Sequence, residues 1–234
     1  MVTTLDIIEK KERSLEPLYK RFRQDEKKAH NEAYQMLRAD NVTTVDNIVN
    51  VTMNYPSTFA GDLSYLIQTA QMQVVVEGKR GNRDLTPDEK KVLETFGELH
   101  FAMIDDLLVR RMIGKMMAYL AGHICVRGWI AGRYMAYKKD GKYVADFMPW
   151  DMLYTAYEGN DKGKTWASYR SWRSKELLQK EYPKVNFAGE DLIEVVHFLD
   201  DEWQEVWIDK ERIKRESKNT NTNFLSPYPK ICFL

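Results

Sequence analysis

The sequence predicts an α+β chain, and three observations carry that expectation. Apolar residues recur at spacings of three and four through the first half. The spacing shortens to two beyond Ile124, and all six tryptophans lie in the second half. The expected order is N-terminal helices followed by an antiparallel β-meander with a short helix and a second hairpin. Residues 1–123 form the helical region, residues 124–216 the antiparallel sheet region packing on it, and residues 217–234 an irregular tail.

Leu5, Ile8, Leu15, Leu18, Tyr19, Phe22, Ala29, Ala33, Met36 and Leu37 give one or two charged helices over residues 5–39, interrupted at Pro17. A polar stretch separates these from a second helical segment at residues 59–71, which closes in the β-branched run VVV before a loop, GKRGNRDL. Thr86-Pro87-Asp88-Glu89 is the strongest local signal. Threonine at the N-cap, proline at N1 and glutamate at N3 make a capping box that starts a helix. The helical period then runs from Val92 to about Gly122, unless the helix breaks at Gly97 or Gly114, each of which weakens it by roughly 1 kcal/mol relative to alanine.

In the second half, Asp140-Gly141 is the preferred dipeptide of a two-residue type I′ hairpin. It sets Lys139 opposite Lys142, Tyr137 opposite Val144 and Tyr134 opposite Phe147. Arg133 and Asp146 then fall diagonally on one face within ion-pair reach. Pro149-Trp150-Asp151 breaks the strand, MLYTAYE resumes it, and GNDKGK turns into TWASYRSW. Ser174 caps a short helix, KELLQKEY, that ends at Pro183. LIEVVHFL and EWQEVWI form a hairpin across Asp200-Asp201, followed by a charged segment, DKERIKRESK.

Composition narrows the chemistry. Lysine plus arginine and aspartate plus glutamate both number 35, so the formal charge is zero, without the basic excess of a general polyanion binder. Cys125 and Cys232 lie far apart and outside any metal-ligand spacing, which argues against a disulfide scaffold and a structural zinc and points to a reducing compartment. No apolar run is long enough to span a bilayer, so no membrane partner is expected. No cofactor fingerprint, P-loop, HExxH or GxSxG motif is present; neither a catalytic residue nor a metal or cofactor site is assigned.

Several constellations invite a sharper reading. His123 and Cys125 are two residues apart on an expected strand, a spacing for a base and a nucleophile with no acidic orienter nearby. Asp105-Asp106 reads as a solvated helix face and Asp200-Asp201 as turn formers. Asp151, Glu158 and Lys162 loosely match the acidic-acidic-lysine set of a Mg²⁺-dependent nuclease. Arg110, Arg111, Lys115, Arg127 and Arg133 belong to a locally basic block that faces either DNA or acidic groups such as Asp200 to Glu205. Trp129, Trp150, Trp166, Trp172, Trp203 and Trp207 suit a sheet core or a subunit contact, and Trp129 with Tyr134 would suit base stacking by a single-stranded nucleic-acid binder.

The order NVTMNYPSTFAGDLSYLIQTAQMQVVVEG, a capped helix, VRGWIAGRYMAY, ADFMPWDMLYTAYE, TWASYRSW and EVVHFLDDEWQEVWID resembles the N-terminal, wing-bearing half of tailed-bacteriophage portal proteins over residues 5–213. The resemblance implies a non-catalytic structural subunit of a ring at the capsid vertex, through which double-stranded DNA is packaged and ejected. It implies self-association into a ring homo-oligomer, and terminase, capsid and head-completion proteins as partners. It also implies sequence-independent contact with double-stranded DNA, and a location in the virion or, during assembly, the host cytoplasm. The stem, clip and crown that follow in such proteins have no counterpart after Lys218, which implies a fragment or a truncated form.

Overall fold

A computed structural model describes residues 3–30, 32, 36–40, 43–49, 51–70, 73–80, 83–161, 163–187, 191–200, 202–217 and 230–233. The fold is α+β: N-terminal helices, then an antiparallel five-stranded meander with a short helix, and a separate hairpin.

Helix α1 spans Thr4–Ala29 and is opened by a capping box between Thr3 and Asp6. It passes Pro17 without breaking, contrary to the expected interruption. Proline inside a helix costs about 3 kcal/mol. Anchors on both sides of it, Ile8 before and Tyr19 and Phe22 after, are buried in the sheet half and offset that cost. Met36 and Leu37 lie beyond the helix; Leu37 forms a lone bridge with Thr44. Helix α2, Tyr55–Thr69, starts four residues before the expected position, with proline in its first turn.

The VVV run forms no strand. It lies along helix α3, Pro87–Arg110, where Val76 N–H donates to Glu94 and a β-carbon at Gly97 would meet Val74 at 2.8 Å. Gly97 therefore serves close approach rather than ending the helix. Two-residue strands β1, Lys79–Arg80, and β2, Arg83–Asp84, form a small hairpin within the expected loop. The capping box at Thr86 and Glu89 is present, and Arg83 adds a bidentate pair that, with the Thr86 amide, holds the Glu89 carboxyl well below its usual range. The helical run does break near Gly114 (φ 91°), and helix α4, Met116–Arg127, follows. Asp105 accepts the Met116 amide, so this half of the acidic pair closes an orphan helix N-terminus.

Arg127 ends α4 and Gly128 adopts a left-handed cap (φ 70°), so the expected strand RGWIAGRYMAY begins only at Ala131. Strands β3, Ala131–Lys139, and β4, Lys142–Trp150, pair in the predicted register, with Asp140 and Gly141 both at positive φ. Pro149 lies within β4, opposite Gly132; the strand ends at Trp150, and Asp151 caps a 3₁₀ turn, Met152–Tyr154. Phe147 lies across Gly132, where any β-carbon would clash.

The five-stranded sheet runs β5, Thr155–Asn160; β6, Gly163–Ser174; β7, Leu192–Asp200; β8, Trp203–Ile208; and β9, Glu211–Ser217, in sequence order. Asp201, in the predicted turn, lies outside the described residues. The charged segment after β8 is a strand, not a solvated run. Its turn uses Asp209 and Lys210 at positive φ, the I′ geometry without glycine. Helix α5, Lys175–Glu181, follows Ser174, whose side chain makes no capping bond. Of the expected irregular tail, Lys230–Phe233 form strand β10, which pairs with β3; residues 218–229 lie outside the described residues.

Both faces of the sheet are covered. Leu178 of α5 packs with Ile193, Val195, Val206 and Ile208 on one side. Ile8 of α1 packs with Val196, Phe198 and Trp207 on the other. Tyr19 and Phe22 continue into a cluster with Trp150, Met152, Ala167 and Leu199, which joins the hairpin to the sheet. Ile104 and Leu108 of α3 pack on the outer face of the hairpin against Ala145 and Phe147.

Candidate functional site

Most of the basic block is turned inward. Arg127, 6% exposed at its side chain, donates to both oxygens of Glu26 at 3.1 Å and to Asp151. It thereby ties α1, α4 and the corner after β4 into one node. Asp151 also accepts the Leu153 amide, and the Tyr119 hydroxyl donates to the Trp150 carbonyl beside it.

Arg111 makes a bidentate pair with buried Asp146 at 2.6 and 2.9 Å. The expected partner of Asp146 was Arg133. The hairpin register does put those two on one face diagonally, but the turn after α3 delivers Arg111 to the carboxylate instead. Arg133 retains a buried Nε with no hydrogen-bond partner, and burial lowers its pKa. Arg110 and Lys115 are exposed at the α3–α4 corner. The five basic candidates thus divide into three structural cations and two that face solvent.

The acidic partners also differ from those expected. Asp200 accepts the amides of Glu202 and Trp203, as a turn former should. Glu205 is buried and receives the Trp207 indole N–H together with Arg212 and Arg215. Arg170, which sequence reasoning did not single out, links Glu12 of α1 to Glu194 of β7.

His197 on β7 is a second residue without a sequence signal. Its Nδ1 is buried without a partner, and burial, reinforced by Arg133, Arg173 and Lys214, pushes its pKa down to about 3. His123 sits on α4 rather than a strand, packed against Tyr119 with ring centroids 4.3 Å apart and the planes tilted by 44°. Cys125 is two residues further along the helix, on a different face, so the nucleophile–base geometry does not form.

The nuclease set is not assembled among the described residues. Asp151 belongs to the Arg127 node, Glu158 pairs with Lys11 at 2.9 Å, and Lys162 lies outside the described residues. No group of three or more His, Cys, Asp or Glu among the described residues could hold a metal ion, and no helix among them is long and apolar enough to cross a membrane.

The tryptophans separate by role. Trp150 is buried and stacks on Tyr169 at 5.2 Å. Trp207 is in the core, Trp166 packs on Phe198, and Trp203 lies under the Arg215 guanidinium at 4.1 Å. Trp172 and Trp129 are exposed. Tyr134 packs among His100 and Tyr143 under α3, so it is not the stacking neighbour of Trp129; Tyr157 is.

Among the described residues, apolar stripes remain open on α2 and α3. Ser57, Ala60, Leu63, Ser64 and Ile67 form the inward face of α2, while Tyr55, Phe59 and Leu66 form a stripe on its outward face. Val92, Phe96 and Leu99 make a similar stripe on the first half of α3. The signal was present in the sequence: a helix apolar on two faces needs two partners. No protein-family model matches the chain, and no curated protein is significantly similar to it.

Proposed function

We propose that the chain is a structural subunit that associates with copies of itself, in the manner of the wing-bearing half of a tailed-phage portal. The observation that carries this reading is the pair of outward apolar stripes on α2 and α3. Each stripe offers large apolar side chains of the kind that anchor subunit contacts. A monomer leaves surface of that kind open at the risk of aggregation; an assembly subunit buries it.

The order of elements supports the same reading: helices first, then a hairpin and a meander braced by α1. Arg110 and Lys115, exposed at one corner, suit sequence-independent contact with double-stranded DNA, and two cations release few counterions, which leaves a duplex free to move. Terminase, capsid and head-completion proteins would be the further partners, in a virion or in the host cytoplasm during assembly.

Sedimentation velocity across a concentration series tests the proposal. Wild-type protein is expected to associate at micromolar concentration, and Phe59→Glu combined with Leu66→Glu to sediment as a monomer with an unchanged far-UV spectrum. A wild-type chain that stays monomeric at all concentrations would rule the proposal out.

A further inference from the structure

We propose that the cleft bounded by α1, the α4–β3 connection and the β5–β6 hairpin binds a nucleotide of an unpaired nucleic-acid strand, its base lying on Trp129 and Tyr157. The cleft encloses about 410 Å³, within the size range of small-ligand sites, and Lys11, Glu158 and Lys164 line it beside the two rings.

The chain path puts an aromatic face there. Gly128 reverses the backbone at the end of α4, Ile130 is drawn into the core, and Trp129 between them is left 39% exposed. Its ring centroid is 6.5 Å from that of Tyr157, with the planes only 31° apart. Tyr157 is held by the core cluster that contains Tyr19 and Trp150, so the aromatic floor is fixed before a ligand arrives.

The hairpin side of the cleft carries two glycines, Gly159 and Gly163, among Glu158, Asn160 and Lys164. Strand β5 shifts register between Glu158 and Gly159, a bulge that bends the strand away from regular pairing. A β-carbon at Gly159 would come within 3.1 Å of the Gly163 carbonyl, and Gly163 adopts φ +122°, so neither position admits a side chain without strain.

Charge decides the ligand class. The Lys11 ammonium is held 2.9 Å from Glu158, which compensates much of its attraction for phosphate. Two lysines against one carboxylate leave the cleft only weakly positive, so it draws most of its affinity from stacking, which every base can supply and which a duplex, with its faces already occupied, cannot offer. The proposal is independent of self-association through α2 and α3, which lie on other elements.

Fluorescence anisotropy of labelled oligo(dT) with the full chain tests it. Wild-type protein is expected to bind with a shallow salt dependence, a log–log slope of about −0.7 for each phosphate neutralised. Trp129→Ala should weaken binding about tenfold or more, in line with the worth of one stacked base. Trp129→Phe should keep most of the affinity, and Trp172→Ala, at an exposed tryptophan outside the cleft, should leave it unchanged. Unfolding midpoints of the variants establish that each is folded. Failure of the wild type to bind oligo(dT), or an affinity for Trp129→Ala within twofold of wild type, would overturn the proposal. So would Trp129-dependent binding of maltotriose in place of the oligonucleotide, since that outcome assigns the cleft to a sugar.

Discussion

The two halves of the molecule use apolar residues in opposite ways. In the meander, Val195 and Val196 are neighbours on one strand, point to opposite faces and are both buried, because α5 covers one face and α1 the other. In α2 and the first half of α3, one face packs inward and the opposite face carries tyrosine, phenylalanine, leucine and valine into solvent. The sheet half is completed by α1 and α5. The helical half has the composition of a buried element and the exposure of a surface one, which is what an element awaiting a partner looks like.

The sharpest test of that contrast compares two phenylalanines. Phe22 is 1% exposed at the junction of α1, the hairpin and the sheet, and Phe59 is 68% exposed on α2. Phe22→Ala is expected to cost about 3–5 kcal/mol in urea unfolding, the combined loss of burial and the cavity left behind. Phe59→Ala should stay within about 0.5 kcal/mol in the dissociated protein. A large cost at Phe59 under those conditions would mean that the α2 stripe is already covered and the contrast is void.

Arg127 fastens the two halves together, and its removal is the next largest effect. Arg127→Ala leaves Glu26 and Asp151 facing each other without a cation, and unpairing a buried ion pair costs about 3–5 kcal/mol. Because the two carboxylates retain some solvent contact, about 2–3 kcal/mol is expected. Hydrogen exchange should show the loss concentrated at the C-terminal turns of α1 and α4. Uniform loss across the meander would show instead that the halves unfold as one unit.

Local chemistry was legible in the sequence wherever one short segment determines it. The capping box at Thr86, the I′ turn at Asp140-Gly141 and the whole β3–β4 register follow from adjacent residues. The misses depend on distant contacts. Pro17 is tolerated because residues on either side of it find a sheet more than a hundred positions away. Strand β9 is hidden because its alternation is carried by charged side chains, and its turn has no glycine. Of the candidate site residues, the sequence located the basic block but not its partners, since Arg111 rather than Arg133 reaches Asp146 only through the break after α3. Trp129 stood out in the sequence as an aromatic candidate, whereas its neighbour Tyr157 comes from a strand that only the fold brings alongside.

Acid sensitivity is expected from His197 in the sheet half, beside contributions from His100 and His123, whose pKa values burial also lowers. His197 titrates near pH 3 in the folded chain, because burial and the cations Arg133, Arg173 and Lys214 disfavour its protonated form, whereas an unfolded histidine titrates near 6.5. The unfolded chain therefore binds a proton that the folded chain refuses, so the contribution of His197 is complete above about pH 6.5 and declines as the pH falls toward 3. Up to roughly 2 kcal/mol should be lost between pH 6.5 and 5. His197→Gln should flatten that limb of the stability profile while leaving the effect of Arg127→Ala unchanged. Matching acid limbs for wild type and His197→Gln in urea titrations would show that the ring accepts its proton in the folded state, with Arg133 and its neighbours displaced to admit it.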